Sequence, residues 1–405
     1  MAVLILSSGV EHWAESIVNI KFKIILAGIY IHIPFCKQVC NYCNFHFTTS
    51  LRGKNDLIHA LLSEIELRKD YLKNEVVETV YFGGGTPSLL SSKDLNALIE
   101  KIFSMHPVLP QAEITIETNP DDITANALKE WKAAGVNRLS IGIQSFFEED
   151  LKWMNRAHTS GQALESVQAA LKSFENITVD LIYGFPLLTN KKWKENVDQV
   201  VSLKLPHVSC YALTVEPKTP LHKLIRNREA ADIDTDKQSE QFLLLMNWME
   251  QAGYEHYEIS NFAKPGFRSQ HNSSYWSGKK YIGVGPSAHS FDGDCRQWNI
   301  SNNHLYVNSI NEEVIPCEKE ILTSTQKINE YIMTSLRTME GLNLKILTGS
   351  LSEQLRAVSR KFLDRGLMIA DSDHLKLTQE GKLFADGIAS EMFFTEEILR
   401  HNTIS

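Results

Sequence analysis

Long apolar runs and a basic N-terminus are both absent from this sequence. The most apolar stretch, MAVLILSSGVEHWAESIVNIKFKIILAG, is broken by charged residues and falls short of the roughly 20 apolar residues that cross a bilayer. It also lacks the basic start of a secretory signal peptide. We therefore expect no membrane span, and we interpret residues 1–27 as an N-terminal extension before a folded part that begins near Gly28.

Cysteine and net positive charge are also scarce. The 405 residues include six cysteines, three of them close together, which is not typical of a disulfide framework and predicts a reducing, cytoplasmic location. The 41 Lys and Arg against 49 Asp and Glu give a formal net charge of −8. The chain as a whole therefore has no positive field for nucleic acid, and we expect no nucleic-acid partner, although peripheral contact with a membrane stays compatible with the sequence.

Short β-branched runs do alternate with helical patterns from Gly28 onward. This order favours βα units around parallel strands, and it predicts an α/β fold with a partial (β/α)6 barrel over residues 28–260. The helical segment 92–105 has Ser92 as its predicted N-cap. The predicted strands are Ile29–Ile33, Thr79–Phe82, Ile114–Glu117, Leu139–Gln144, Thr178–Tyr183 and Val208–Leu213.

The predicted strands have one aliphatic and one polar face. In the first strand Ile29, Ile31 and Ile33 share one face, whereas Tyr30 and His32 share the other. Branched aliphatic residues usually fill a packed barrel interior, and burying polar groups unpaired costs roughly 2 kcal/mol or more each. We therefore expect the interior of this barrel to be a polar binding site.

The remainder of the chain is predicted to form two further regions. Residues 261–315 are interpreted as a connecting region, with a loop predicted from Tyr254 to Trp298. Residues 316–405 contain two helical patterns followed by a hairpin around Ser372 and Asp373, the order of a winged-helix-like domain. Ten basic against twelve acidic residues from Glu320 onward favour packing or partner docking over DNA binding.

Cys36, Cys40 and Cys43 form a C-x3-C-x2-C motif directly after the first predicted strand. Thiolates are the usual ligands of zinc and of iron–sulfur clusters. His46 could complete a four-ligand zinc site, three thiolates could hold a cluster with one open iron, and unrelated core cysteines are a third interpretation. The spacing alone leaves all three open.

The motif context resembles the radical S-adenosylmethionine (SAM) superfamily, and within it the anaerobic coproporphyrinogen oxidase group. The resemblance lies in CKQVCNYC, FGGGTPS, ETNP, IGIQSF and DLIYGFP, and it spans roughly residues 28–217. It implies a 4Fe-4S cluster on the three cysteines and exchangeable SAM on the open iron. The SAM contacts that it implies are Tyr30, Tyr42, Gly84, Gly85, Thr86, Glu117, Gln144, Arg156, Asp180 and Ala212.

Two features of the chain resemble the HemW family of haem chaperones within that group. Phe45 stands where the oxidase carries a further cysteine, and HNSSYW, from His271 to Trp276, is similar to the HNxxYW motif of HemW. The resemblance implies a protein that binds haem near His271 and transfers it to haem-accepting proteins, without obligatory turnover and compatible with a homodimer. The alternative is an oxygen-independent coproporphyrinogen III oxidase, which decarboxylates a porphyrinogen oxidatively.

Read without the family, His271 is a candidate axial iron ligand beside two aromatic side chains. The simpler interpretation is a loop histidine next to two core aromatic residues. Only the motif favours the haem role. His289, in GVGPSAHSF, is a weaker haem candidate and is interpreted as structural.

Overall fold

A computed structural model describes residues 26–347 and 349–396 of the chain. Most of the predicted N-terminal extension lies outside the described residues, and the first strand begins at Leu26. Among the described residues, no helix is both long enough and apolar enough to cross a membrane.

Six parallel strands, adjacent in chain order, form the centre of a twelve-stranded sheet. This arrangement confirms the predicted α/β fold and the partial barrel. Each predicted strand overlaps an observed strand. The strands of the sheet are β1 Leu26–Ile33, β2 Val76–Gly84, β3 Val108–Thr118, β4 Arg138–Gln144, β5 Asn176–Tyr183, β6 His207–Ala212, β7 Glu255–Glu258, β8 Asn261–Ala263, β9 Lys280–Val284, β10 His289–Phe291, β11 Cys295–Asn299 and β12 Cys317–Ile321.

The helices before residue 322 include the crossover connections that parallel strands need. They are α1 Lys54–Leu67, α2 Ser92–Met105, α3 Ala125–Ala133, α4 Glu148–Trp153, α5 Ser160–Leu171, α6 Asn190–Ser202, α7 Pro220–Arg226, α8 Thr235–Gln251, α9 Gln270–Trp276 and α10 Asn303–Asn311, with 3-10 helices at Pro87–Leu89 and Pro120–Asp122. The N-cap of α2 is Ser91, whose hydroxyl accepts from the Asp94 amide, and not the predicted Ser92. Ser92 instead donates to the Glu130 carboxylate.

The hydrophobic core lies between the aliphatic face of the sheet and these helices. Ile29, Ile31 and Ile33 on β1 are all fully buried there. The large core side chains Phe82 and Trp193 are buried in the same cluster. Burial of this face therefore decides which side of the sheet the polar residues occupy.

The predicted loop from Tyr254 to Trp298 is largely regular structure. β8 pairs antiparallel with β6, and β9 pairs parallel with β1, so this region extends the sheet at both ends. α9 lies against β1 and β2. The prediction failed here because these strands have only three to five residues, too short for a visible period of two, and their partners are distant in sequence.

A smaller C-terminal domain has its own apolar core, which includes Ile332, Leu355 and Phe362. Its three-stranded sheet has the order β13 (Leu342–Asn343), β15 (His374–Leu377), β14 (Met368–Asp371), and the predicted hairpin around Ser372 is present as the β14–β15 pair. Its elements are α11 Ser324–Leu336, β13 Leu342–Asn343, the 3-10 helix Leu344–Ile346, α12 Gly349–Asp364, β14 Met368–Asp371, β15 His374–Leu377, α13 Gln379–Lys382 and α14 Ala385–Glu391.

Candidate functional site

A cavity of about 370 Å³ lies at the C-terminal ends of the parallel strands, under the cysteine loop. Ligands of parallel α/β sheets usually bind at this end, because several strand ends converge there. Most of the predicted site residues line this cavity together: Cys36, Cys40, Tyr42, Cys43, Gly84, Gly85, Thr86, Glu117, Gln144, Arg156, Asp180 and Ala212.

The base of the cysteine loop is held by backbone hydrogen bonds. The Cys36 amide donates to the Thr48 carbonyl at 3.0 Å, and the Thr48 amide donates to the Pro34 carbonyl at 2.8 Å. Further along the loop, the Asn41 amide donates to the Met154 carbonyl at 3.0 Å. The loop is therefore fixed both to its own strand and to the end of α4.

The three thiols lie on one wall of the cavity, but they do not form a finished coordination shell. Within the described residues, no three His, Cys, Asp or Glu side chains converge as the ligands of a metal ion do. Burial raises the pKa of the Cys36 thiol, and it raises the pKa of Cys43 to about 11. Metal binding at these residues would therefore release protons, since thiolates are the ligating form.

Arg156 brings a positive charge to the thiols. Its Nη1 donates to Cys40 Sγ at 3.3 Å and to the Tyr42 hydroxyl at 3.4 Å, and its Nη2 donates to Asn119 Oδ1 at 2.6 Å. The buried Arg156 Nε has no hydrogen-bond partner. A cation beside three thiols is suited to a negatively charged thiolate-bound cluster, so the donor set fits that group.

Gly85 keeps space free beside the first cysteine. A Cβ at this position would lie 2.7 Å from the Phe35 carbonyl oxygen and 3.0 Å from Cys36 Sγ, closer than side chains pack. Thr86 follows directly, and its hydroxyl donates to Cys36 Sγ at 3.5 Å. The glycine run therefore lets a strand end approach the cysteine loop, as close backbone approach requires.

Two carboxylates face the cavity, Glu117 from β3 and Asp180 from β5, with β4 between them. Burial raises the pKa of Glu117 to about 7 and that of Asp180 to about 6. Glu117 Oε1 accepts from the Tyr81 hydroxyl at 2.8 Å, and its Oε2 accepts from the Gly84 amide at 3.1 Å. Partly buried carboxylates on rigid strands are suited to accept hydrogen bonds from hydroxyl or ammonium groups of a ligand.

Gln144 ends β4 in a strained conformation. Its φ is 72°, in the left-handed region that non-glycine residues rarely adopt. Its side chain is largely buried and lines the cavity. Such strain is typical of functional sites, where the surrounding structure holds the residue in place.

The lower half of the barrel is filled by the protein's own polar groups. The predicted polar binding site therefore occupies only the upper end of the barrel, and not its whole interior. His207 lies between the Thr178 hydroxyl at 2.9 Å and the Tyr257 hydroxyl at 2.8 Å. Arg138 is buried and donates to Asn176 and Thr178. Polar groups that pair with one another need no ligand.

Two of the selected residues, Tyr30 and His271, do not line the cavity. The Tyr30 hydroxyl contacts His32 Nδ1 at 3.1 Å. His271 is 1% exposed and lies in α9, where its Nδ1 contacts the Thr79 hydroxyl and its Nε2 contacts the Tyr275 hydroxyl, both at 2.8 Å. Burial lowers the pKa of His271 to about 3. In this conformation neither ring nitrogen is open to a haem iron, so the geometry does not fit axial ligation.

The other two candidate histidines, His46 and His289, also have defined surroundings. His46 Nε2 contacts Asn303 Oδ1 at 2.7 Å, and His46 does not line the cavity. His289 is exposed on β10, and its ring stacks on Trp298 at 6.3 Å between centroids. His46 is therefore engaged away from the thiols.

Sequence reasoning missed two residues of the site. Asn119 lines the cavity and donates to the Thr86 hydroxyl at 3.1 Å while it accepts from Arg156. It lies inside ETNP, so the motif could have indicated it. Tyr81 supports Glu117 from below, and its place on the polar face of β2 was the available signal.

Two family models and several curated proteins are similar to this chain. The Radical SAM superfamily model matches residues 30–200, and the HemN C-terminal domain model matches residues 322–384. The proteins named Heme chaperone HemW from Bacillus subtilis (strain 168) and Escherichia coli (strain K12) are 33% and 32% identical to this chain; the alignments cover 90% and 91% of it and 98% of each relative. The Mycobacterium tuberculosis (strain H37Rv) protein of that name is 34% identical over 89% of this chain and 93% of its own.

A solved structure shows the same fold. It is the coproporphyrinogen III oxidase HemN from Escherichia coli, described in its title as a radical SAM enzyme. The TM-score is 0.79, with 23% identity, 91% coverage of this chain and 90% of that one. At this identity the likeness concerns the fold alone.

Proposed function

Because the chain belongs to the HemW family within the radical SAM superfamily, we propose that it is a haem chaperone that binds haem and transfers it to haem-accepting proteins. The observation that carries the proposal is similarity to HemW proteins over 90% of this chain, together with the cavity under the cysteine loop. We place the function in the cytoplasm, in keeping with the scarcity of cysteine.

We propose that Cys36, Cys40 and Cys43 hold a 4Fe-4S cluster. Support comes from their common wall of the cavity and from the Arg156 guanidinium beside Cys40. A cluster with three protein thiolates leaves one iron able to take the amine and carboxylate of SAM. The protein's own part is to supply the thiolates, to neutralise charge through Arg156 and to keep the site partly dry.

The proposed SAM contacts surround the rest of the same cavity. Glu117 and Asp180 supply acceptors for hydroxyl groups, and Gly84 and Gly85 permit close approach of the backbone. Gln144 and Ala212 come from the ends of β4 and β6. Tyr30 contributes through its packing beside Glu117 and not through the cavity lining in this conformation.

The haem part of the proposal rests on the family and on HNSSYW. Ligation by His271 would require one of its two ring hydrogen bonds to be broken, because Thr79 and Tyr275 occupy the two nitrogens. We therefore do not assign haem ligation to His271. Phe45, at the mouth of the cavity and 68% exposed, replaces the additional cysteine of the oxidase.

Metal and sulfide analysis of anaerobically purified protein tests the cluster. We expect iron and sulfide in equal amounts, lost in Cys40→Ser and retained in the matched control Cys295→Ser, which changes a half-buried cysteine on β11 away from the cavity. Zinc without sulfide would contradict the proposal.

Haemin titration of the reconstituted protein tests the chaperone role. We expect a shifted Soret band and loss of that shift when an apo-haemoprotein acceptor is added. Formation of protoporphyrinogen from coproporphyrinogen by the same preparation would instead favour the oxidase. We propose that the cluster and SAM control dimerisation or haem release, so SAM should change the rate of transfer.

A further inference from the structure

The HNSSYW segment is built into the floor of the barrel. The amides of Gln270 and His271, at the start of α9, both donate to the Glu113 carboxylate at 3.1 Å. The imidazole is then held between the Thr79 and Tyr275 hydroxyls at 2.8 Å each. The backbone amide and both ring nitrogens of His271 therefore have hydrogen-bond partners inside the protein, and these partners give the ring a single orientation.

That orientation places the His271 ring against Tyr81. The two rings are stacked with 4.9 Å between centroids and 22° between planes. Tyr81 in turn stacks on Tyr30, at 6.1 Å and 22°. The three rings form a column that runs upward from α9 through β2 and β1, and we call it the aromatic column.

The middle ring of the aromatic column, Tyr81, is bonded to a carboxylate of the cavity. The Tyr81 hydroxyl donates to Glu117 Oε1 at 2.8 Å, and the Gly84 amide holds the other carboxylate oxygen. Both donors to Glu117 lie on the neighbouring strand β2: the Gly84 amide belongs to its backbone, and the Tyr81 hydroxyl belongs to a ring of the column. A side chain with two fixed donors has its rotamer defined, which is how supporting residues orient a binding group.

Packing leaves the column little freedom to move. At Gly83 a Cβ would lie 2.8 Å from Tyr30 Cε2, 2.9 Å from Tyr81 Cε1 and 3.1 Å from Glu117 Oε1. Only a glycine fits between these three side chains. A displacement of the His271 ring would therefore be taken up by Tyr81 and passed to Glu117, since dense interiors transmit strain.

We propose that His271 and Tyr81 are positioning residues for the SAM site: the HNSSYW helix orients Glu117 through the aromatic column. The inference rests on the proposed function, because Glu117 is assigned there as a SAM contact. It gives the motif a role that does not depend on iron ligation. It also explains how a helix under the barrel influences a cavity at the top of the same strands.

The test uses His271→Ala and Tyr81→Phe, with His304→Ala as the control. Tyr81→Phe keeps the ring in the column and removes only the donor to Glu117, whereas His271→Ala removes the support below Tyr81. His304 is an exposed histidine on α10. SAM affinity is measured by calorimetry on anaerobically reconstituted protein, and haem binding by Soret titration on the same samples.

We expect Tyr81→Phe to weaken SAM binding about tenfold or more, the size expected for a lost hydrogen bond to a charged group. His271→Ala should weaken it by a similar factor, His271→Gln by less, and His304→Ala should leave it unchanged. Crystal structures of the metal-free variants supply a readout without cofactor. In His271→Ala the 2.8 Å contact between Tyr81 and Glu117 should be lengthened or lost.

Three results would overturn the inference. SAM affinity unchanged in Tyr81→Phe would show that the donor does not matter. A retained Tyr81–Glu117 contact in His271→Ala would show that the column does not pass a displacement from His271 to Glu117. Loss of the Soret shift in His271→Ala with unchanged SAM affinity would assign His271 to haem alone. If wild-type protein binds no SAM, the proposed function fails, but the Tyr81–Glu117 contact in the crystal structures still decides whether His271 positions Glu117. If His271→Ala does not fold, His271→Gln supplies the comparison.

Discussion

Glu117 should make the metal-free protein less stable above neutral pH. Burial raises its pKa from 4.5 to about 7, so between these two pH values the folded state binds more protons at this group than the unfolded state. Stability must then fall as pH rises through this window. Replacing the carboxylate with the neutral amide in Glu117→Gln should remove that loss.

The structure sets the size of the effect. The full shift in pKa corresponds to about 3 kcal/mol, and contact of Glu117 with solvent in the cavity reduces it, so we expect Glu117→Gln to be more stable by about 2 kcal/mol at pH 8. At pH 5 the gain should be below about 1 kcal/mol. The amide can be accommodated because its oxygen can accept from the Gly84 amide while the Tyr81 hydroxyl, which both donates and accepts, turns to accept from its NH2 group.

Urea unfolding followed by circular dichroism, without metal and under reducing conditions, measures this difference at both pH values. Glu165→Gln is the matched control, since Glu165 is exposed on α5 and should show no pH-dependent gain. The same Glu117→Gln protein, once reconstituted, should bind SAM weakly. A variant that is less stable than wild type at pH 8, or equally stabilised at both pH values, would refute the reasoning.

Three further predictions concern other parts of the molecule. Tyr306→Phe should lower the free energy of unfolding by about 2 kcal/mol, measured in urea, because the phenol donates at 2.5 Å to the fully buried Glu64 carboxylate; no loss would contradict this. Burial lowers the pKa of Lys382 from 10.5 to about 8. Between pH 8 and pH 10.5 the unfolded state therefore binds more protons at this group than the folded state, so the free energy of unfolding should rise with pH. Lys382→Met should abolish that rise. His46→Ala should leave iron and sulfide content unchanged, because His46 is bonded to Asn303; zinc lost together with His46 would contradict the cluster proposal.

The sequence was sufficient to predict the parallel strands because their signal is local. In most of the parallel strands alternate positions are aliphatic, as Ile29, Ile31 and Ile33 on β1 illustrate. Burial on one face imposes this alternation. The short strands β7 to β11 lack such a pattern and form only because β6 and β1 offer open edges. Their formation depends on pairing partners far away in the chain.

The cavity residues were predicted mainly from the resemblance to the radical SAM superfamily. Only the structure showed how these residues lie relative to one another. Arg156 illustrates this, because nothing in its local sequence distinguishes it from an exposed helix arginine, yet the end of α4 brings it to Cys40. Tyr81 is a second case, since its importance depends on Glu117 and His271, which are distant from it in sequence. Contacts between distant segments are decided by the packing of the whole barrel.

By itself, the sequence determined the alternation of strands and helices, the three-cysteine motif and membership of the HemW family, which similarity over 90% and 91% of the chain confirms. Only the tertiary structure decided that the polar interior is divided into an open upper cavity and a filled floor. It also decided that HNSSYW belongs to that floor. The physical reason is that strand periodicity defines which face a side chain occupies, whereas only the packing of other segments decides whether that face meets a ligand or the protein itself.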